Sequence, residues 1–270
     1  MSAAPVRRGP RRGRRSRLLA GLGAAAALVL ALGLAGCGAG TIPPVSSESE
    51  RLSHARTSMD KREYSVAIEL LKAYIANNAG SREVDEAIYR LGVCYLRTKE
   101  NALAQVEFER LLRDYPESDS SGSASFRLGE ALWGQARPPD FDQEFTQKAL
   151  DQWESYLRSD SDHWLVPEAR RRIAEARLRL ATRLSAVGML YLKLGLPKPA
   201  QVYFQKVADE YADTPKAADA HFGLALCLAK QGKRDEALQR LRALEAEVPT
   251  GKLHERVVKE RKRVEHQRRG

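Results

Sequence analysis

The sequence predicts an all-α protein made of about five stacked helical hairpins, and two regularities support this prediction. The first is the spacing of apolar residues within residues 91–116. Leu91 and Tyr95 lie four residues apart in one predicted helix, and Ala104 and Phe108 lie four residues apart in the next. Residues with this spacing share one face of an α-helix, so each helix has an apolar stripe that it can bury. The short polar turn between the stripes predicts that the two helices fold back on each other.

The second regularity is the recurrence of this pattern along the chain. An alanine marks the second helix of each hairpin, at Ala67, Ala104, Ala149, Ala200 and Ala237. A large apolar residue follows four positions later, at Leu71, Phe108, Trp153, Phe204 and Leu241. A small residue precedes by twelve positions in four hairpins, at Ala55, Gly92, Gly188 and Ala225, and by 20 in the third, at Gly129. The alanines are 37, 45, 51 and 37 residues apart, so two intervals contain insertions. Stacked hairpins of this kind bury a continuous core.

Residues 91–116 resemble a tetratricopeptide repeat, whose period is about 34 residues. The likeness rests on six positions, Leu91, Gly92, Tyr95, Ala104, Phe108 and Pro116. The expected fold is therefore a tetratricopeptide-repeat solenoid of about five helical hairpins over residues 51–250. Residues 167–194 contain no helix breaker except Gly188, which predicts one long helix between an N-terminal group of repeats and a C-terminal pair.

The first 36 residues are predicted to be a lipoprotein signal peptide. Seven arginines precede an uncharged run at 18–35, the order of charge and apolarity that export signals share. The run leads into Leu-Ala-Gly-Cys, which resembles a bacterial lipobox and implies cleavage before Cys37 and a covalent lipid on that cysteine. The alternative interpretation of the run is a membrane-spanning helix. Residues 37–50 are small and polar and predict a flexible tether. Gly38 after the cysteine favours the outer membrane, by analogy with proteobacterial sorting.

The net charge of +10 is concentrated at the two ends of the chain. The signal segment holds seven arginines and no acid, and residues 251–270 hold eight basic residues against three glutamates, so the region between them carries −2. A nearly neutral body does not favour nucleic acid as a partner. Residues 251–270 are expected to be a solvated basic tail that either frays or forms a polar helix. The alternative is that this tail docks on an acidic partner surface or on lipid phosphates.

The third hairpin carries a more specific resemblance. Residues 142–150 read Asp-Gln-x-aromatic-Thr-x-Lys-Ala-Leu after an eight-residue insertion inside the hairpin, and residues 167–173 read Pro-Glu-Ala-Arg-Arg-Arg-Ile. These strings are similar to the BamD/ComL family of outer-membrane assembly lipoproteins, and the resemblance extends over about residues 37–249. It implies a lipid-anchored scaffold on the periplasmic face of the outer membrane. Its implied partners are the barrel-assembly outer-membrane protein, accessory lipoproteins and nascent outer-membrane proteins.

No catalytic constellation is apparent in the sequence. The five histidines are scattered, no histidine pair or Cys-x-x-Cys has metal-ligand spacing, and no glycine-rich phosphate loop occurs. Cys94 and Cys227 occupy equivalent positions in two hairpins and are expected to be buried small hydrophobes. We therefore expect a binding protein rather than an enzyme, with no cofactor except the lipid on Cys37. Alternatives to barrel assembly are a repeat lipoprotein of a secretion or pilus pore, a periplasmic cell-division coordinator, and, with least support, a transferase or hydrolase.

The candidate binding residues come from the first helix of each hairpin, which lines the concave groove in this fold. The positions predicted to face the groove are Arg56, Tyr89, Arg97, Phe126, Trp133, Lys193 and Lys230. Three of them, Arg97, Lys193 and Lys230, are equivalent between repeats and would form a basic ladder. Together with the implied family role, this predicts that the N-terminal groove binds an extended peptide with an aromatic, carboxylate-ended tail. The alternative is that the three aromatic residues pack between helices.

Overall fold

The computed structural model describes residues 47–160 and 162–266, which form eleven α-helices and no strand. The helices are α1 Glu48–Asp60, α2 Tyr64–Asn77, α3 Val84–Thr98, α4 Asn101–Asp114, α5 Ser121–Gln135, α6 Glu144–Ser159, α7 Val166–Lys193, α8 Pro197–Glu210, α9 Lys216–Lys230, α10 Arg234–Glu247 and α11 Gly251–His266. The predicted signal peptide, Cys37 and most of the tether lie outside the described residues. No helix within the described ranges has the length and apolarity needed to cross a bilayer.

The first ten helices pair into five hairpins, α1/α2, α3/α4, α5/α6, α7/α8 and α9/α10. Every helix packs on its neighbours along the chain. First helices of successive hairpins also meet, α3 with α5 and α7 with α9. One buried cluster runs from α1 to α9, and a second joins α9, α10 and α11. The predicted all-α solenoid of five hairpins is confirmed.

The recurring small and large residues meet where the two helices of a hairpin cross. The five marker alanines have no exposed surface, and the five large residues that follow them are at most 1% exposed. A Cβ atom added to Gly92 would lie 2.6 Å from the Phe108 ring, and one added to Gly188 would lie 2.9 Å from the Phe204 ring. Because such distances are too short for carbon atoms in contact, each glycine lets an aromatic ring fill the crossing.

The two long intervals have different structural origins. The 45-residue interval contains the loop 136–143 between α5 and α6, the eight-residue insertion predicted from the sequence. The 51-residue interval arises because α7 is 28 residues long, and the predicted long helix is thus confirmed. Near its start Arg172 reaches Glu130 of α5, and near its end Gly188 meets Phe204 of α8. A single helix therefore connects the third and fourth hairpins.

Two predicted segment boundaries need correction. The helical region begins at Glu48 rather than Arg51, because the Ser47 hydroxyl accepts a hydrogen bond from the Glu50 N–H and caps α1. The basic tail is not simply solvated, because most of it forms α11. This helix buries Val257 (0% exposed) and Val264 (1% exposed) in the second cluster. Its polar outer face is what a solenoid needs at its end.

Contacts with α10 hold α11 in place. The Arg234 guanidinium donates to the carbonyl oxygens of Val264 and Glu265, each at 2.7 Å, at the end of α11. Arg261 pairs with Glu245 at 2.6 Å. Arg256 also pairs with Asp219 of α9 at 3.3 Å, so at least two of the eight basic residues of this segment bind other helices.

Both free cysteines within the described residues are buried, as predicted. Burial raises the pKa of Cys94 to about 12 and that of Cys227 to about 11. Because the thiolate is the reactive form, these side chains act as small apolar residues in the core.

We predict that Phe108→Ala lowers the free energy of unfolding by about 3–5 kcal/mol, because it leaves a cavity against Gly92. Urea unfolding of the variant measures this loss. The matched control is Leu103→Ala on the same helix, where the side chain is 46% exposed and the expected change is at most about 0.5 kcal/mol. Equal effects of the two substitutions would contradict the packing described above.

Candidate functional site

A cavity of about 240 Å³ lies between α3, α5 and α7, the first helices of the second, third and fourth hairpins. Its lining consists of Val93, Leu96, Arg97, Asn101, Arg127, Glu130, Trp133 and Arg172. We call this site the arginine cavity. It combines three guanidinium groups, one carboxylate and one indole ring, and it is open to solvent. Such a composition suits an anionic ligand with an apolar part.

Trp133 forms the aromatic wall of the arginine cavity. Its ring lies 6.0 Å from that of the buried Trp153, measured between centroids, and the Arg179 guanidinium carbon lies 3.9 Å from its centroid. Burial of Arg179 lowers the pKa of its guanidinium, which stays charged at neutral pH all the same. Trp133 is thus supported from the core and flanked by a cation, which fixes the orientation of its ring.

The carboxylate of Glu130 organises two of the lining arginines. It pairs with Arg127 at 2.5 Å and with Arg172 at 3.7 Å. Burial opposes the charged form of Arg127, but the adjacent Glu130 outweighs it and raises the pKa of that guanidinium. Arg172 also bonds Glu168 at 3.0 Å and Glu175 at 3.3 Å. The charges of these two arginines are therefore largely balanced by glutamates.

Two other guanidinium groups at the site are not balanced. Among the residues that the structure describes, Arg97 and Arg179 have no carboxylate within ion-pair distance. In addition, the Nε atom of Arg127 is buried without a hydrogen-bond partner. The site therefore keeps two cations without a carboxylate partner, Arg97 in the lining of the arginine cavity and Arg179 against the ring of Trp133. An incoming carboxylate would pair with these cations.

The structure brings together only some of the residues predicted from the sequence. Arg97 and Trp133 both line the arginine cavity. Tyr89 is half-buried 6.1 Å from the Phe108 ring and next to Arg127, beside the cavity rather than in its lining. Arg56 pairs with Glu86 at 2.5 Å in the first two hairpins. Its charge is thus already compensated.

The prediction that Phe126 faces the groove is wrong. Only 1% of Phe126 is exposed, and it packs between Trp153 (centroids 6.5 Å apart) and Tyr156 (5.8 Å). For this residue the alternative of packing between helices is the right one. Lys193 and Lys230 are exposed at the ends of α7 and α9, and neither lines the arginine cavity.

Sequence reasoning missed Arg127, Glu130, Arg172 and Arg179. Two weak signals were present. Arg127 and Glu130 are three residues apart, the spacing of an ion pair on one helix face, and Arg172 and Arg179 are seven apart and share a face of α7. Neither spacing tells which neighbouring helix these side chains meet. Only the folded structure places Arg172 beside Glu130 and Arg179 against the Trp133 ring.

The stack of helical hairpins and the arginine cavity on its first helices define a helical-repeat protein that binds its ligands through side chains of stacked helices. The model of the YfiO family, described as outer membrane lipoprotein, matches residues 44–231, and a tetratricopeptide-repeat model matches residues 219–251. Because the first match spans well over half of the chain, the protein belongs to the YfiO family of outer membrane lipoproteins.

Solved structures of repeat proteins are similar to the chain at low identity. A repeat protein from Bacteroides fragilis is 11% identical, with 83% of this chain and 100% of that one covered and a TM-score of 0.46. A tetratricopeptide repeat protein from Parabacteroides merdae is 17% identical, with coverages of 82% and 73% and a TM-score of 0.37. The TPR2AB domain of yeast Sti1 is 14% identical, with coverages of 75% and 78% and a TM-score of 0.40. No curated protein sequence matches significantly.

We predict that Glu130→Gln lowers the free energy of unfolding by about 1–2 kcal/mol, because two arginines then lose their shared charge partner in a half-buried site. The matched control is Glu144→Gln, whose 2.6 Å pair with Lys148 is more than half exposed. Its expected effect is at most about 0.5 kcal/mol. Urea unfolding at low salt measures both, and a loss in the control as large as that in Glu130→Gln would refute the organising role of Glu130.

Proposed function

We propose that the protein is a non-enzymatic scaffold of β-barrel assembly, held to the periplasmic face of the outer membrane by a lipid on Cys37. Membership of an outer membrane lipoprotein family supports the location. The lipobox and the BamD/ComL-like strings at 142–150 and 167–173 support the narrower role. The partners proposed are the periplasmic domains of the barrel-assembly protein and accessory lipoproteins. Nucleic acid is not among them, because the body of the chain is nearly neutral.

We further propose that the arginine cavity receives the C-terminal end of a nascent outer-membrane protein. The observation that carries this proposal is the pair of unbalanced guanidiniums, Arg97 and Arg179, at the site of Trp133. A terminal carboxylate would bind between cations, and the last aromatic side chain would lie against the indole ring. The cavity volume of about 240 Å³ is below the roughly 300–1,000 Å³ of small-molecule sites. Such a volume suits the end of a peptide better than a cofactor.

The proposed partners can be tested in the native envelope. The tagged full chain is crosslinked, solubilised and purified, and its partners are identified by mass spectrometry. We expect a large barrel protein with periplasmic repeat domains as the main partner. Recovery of a secretin, a pilus-pore component or a division protein in its place would reject the assembly role while leaving the repeat fold and the family unaffected.

The proposed peptide site can be tested by charge reversal. We predict that Arg97→Glu weakens binding of a labelled C-terminal peptide of an outer-membrane protein by at least about tenfold, because a hydrogen bond to a charged group contributes roughly 1.5–3 kcal/mol. Fluorescence anisotropy at fixed salt measures the affinity. Lys230→Glu is the matched control, since Lys230 is equivalent in the repeat but lies outside the arginine cavity.

A second peptide makes this test specific for the terminal carboxylate. Amidation of the C-terminus removes the charge, so it is expected to weaken binding to the unmodified protein and to have little further effect on Arg97→Glu. If amidation weakens binding to both proteins equally, Arg97 does not bind the carboxylate and the assignment of the cavity fails.

A further inference from the structure

The turn between α7 and α8 exposes apolar side chains to solvent. Leu194 is 63% exposed and Leu196 is 46% exposed, and Pro197 follows at the first position of α8. On the preceding turn of α7, Leu190 is 55% exposed. Neighbouring exposed leucines of this kind are unusual on a protein surface that binds nothing.

The geometry of the turn does not require these leucines. Gly195 has a positive φ, its N–H donates to the Leu192 carbonyl at 3.1 Å, and the Leu196 N–H donates to the Tyr191 carbonyl at 2.9 Å. In the first, second and fifth hairpins, a residue with positive φ occupies the equivalent position, and the same two hydrogen bonds form. These residues are Arg62, Lys99 and Gly232. The residues that flank the positive-φ position there are Lys61 and Glu63, Thr98 and Glu100, and Gln231 and Lys233. Three polar pairs therefore build a turn that the fourth hairpin builds with two leucines.

Lysines surround the apolar turn. Lys193 and Lys198 bracket it in the sequence, and Lys230 precedes the neighbouring turn of the fifth hairpin. None of these three lysines pairs with a carboxylate among residues 47–160 and 162–266. Lys198 and Lys233 also line, with Leu196, an open cavity of about 500 Å³ between the two turns. Of the lysines named here, only Lys233 is paired, with Glu236 at 3.4 Å.

We propose that this turn and its lysines contact the anionic surface of a lipid bilayer. Leucines at the tip of a turn can enter the boundary between headgroups and acyl chains, and the long lysine side chains can reach the phosphates. Each lysine near an anionic bilayer adds favourable electrostatic energy. The proposal rests on the membrane anchoring proposed above, because the anchor keeps a bilayer within reach. It does not depend on peptide binding.

Composition favours lipid over a protein partner at this surface. The centres of protein interfaces are enriched in aromatic residues and arginine and depleted of lysine. The turn offers leucine, proline and lysine, whereas the arginine cavity offers tryptophan and arginine. Arg234 begins α10, after the neighbouring turn of the fifth hairpin. Its guanidinium already donates to carbonyl oxygens at the end of α11. The two surfaces thus differ in the way expected of a lipid contact and a protein contact.

Vesicle flotation of residues 45–270 tests the proposal. This fragment forms one compact unit that contains both buried clusters, and it omits the signal segment, whose own apolar run would bind lipid. We expect it to float with vesicles of phosphatidylcholine and phosphatidylglycerol and at least about tenfold less with phosphatidylcholine alone. Substitution of Lys193 or Lys198 by Gln is expected to weaken partitioning about fivefold each.

The decisive variant is Leu194→Thr with Leu196→Glu, which copies the flanking residues of the second turn and should therefore fold. We expect it to lose at least about tenfold in partitioning with unchanged urea unfolding. The matched control is Leu103→Thr with Val106→Glu, which alters leucine and valine side chains that are 46% and 56% exposed on α4. That control should still bind.

Several results would overturn the proposal. They are equal flotation of the two double variants, equal flotation with neutral and anionic vesicles, and no flotation of the unmodified fragment. A photo-crosslinker at position 194 of the full chain would provide an independent check in the envelope, where crosslinking to a protein instead of lipid would also overturn it. Failure of these tests with an intact response to Arg97→Glu would reject the lipid contact alone. By contrast, recovery of the full chain in the soluble fraction instead of the membrane fraction would reject the proposed lipid anchoring.

Discussion

In three hairpins an aromatic ring lies against a glycine where two helices cross, and the rest of the structure depends on this contact. Trp153 fills the space left by Gly129, and its indole N–H donates to the Phe126 carbonyl at 3.2 Å. The Trp153 ring also packs against the Trp133 ring, and the Arg179 guanidinium lies against Trp133. The residue that closes the third hairpin therefore also positions the aromatic wall of the candidate site. Trp153 thus takes part both in a close helix crossing and in the support of the candidate binding surface.

The charge balance of the arginine cavity depends on the length of α7. Because α7 is long, its first turns reach α5 and bring Arg172 to Glu130, where Arg127 already binds. One carboxylate then serves two guanidiniums, and Arg97 and Arg179 remain without a partner at the described site. A first helix of 15 residues, the length of α3, α5 and α9, that ended at Lys193 would begin at Arg179 and would lack Arg172. The insertion that lengthens the helix thus creates the electrostatics of the site.

The sequence was sufficient for the features that depend on local spacing. The marker alanines, their large partners and the long helix follow from periodicity within one or two helices, and all lie where predicted. Phe126 could not be assigned, because its face is covered by Trp153 and Tyr156 of another helix, which no spacing within α5 reveals. A polar helix over the tail was one of the sequence-based interpretations, but its burial was not predicted. The charges hid the seven-residue spacing of Val257 and Val264, which places both valines on one buried face. Of the candidate site, only Arg97 and Trp133 could be predicted, since the other lining charges depend on tertiary distance.

Helix α7 carries parts of both proposed contacts, so their separation is set by helical geometry. Arg179 lies beside Trp133 at the arginine cavity, and Leu194 lies just beyond the end of the same helix, in the turn proposed to reach lipid. At a rise of about 1.5 Å per residue, these positions are roughly 22 Å apart along the axis. In the proposed role, a rigid spacer of this length would hold the bound end of a peptide at a fixed distance from the bilayer. A flexible connection between the two surfaces would allow the same two contacts, but it would not fix the distance between them.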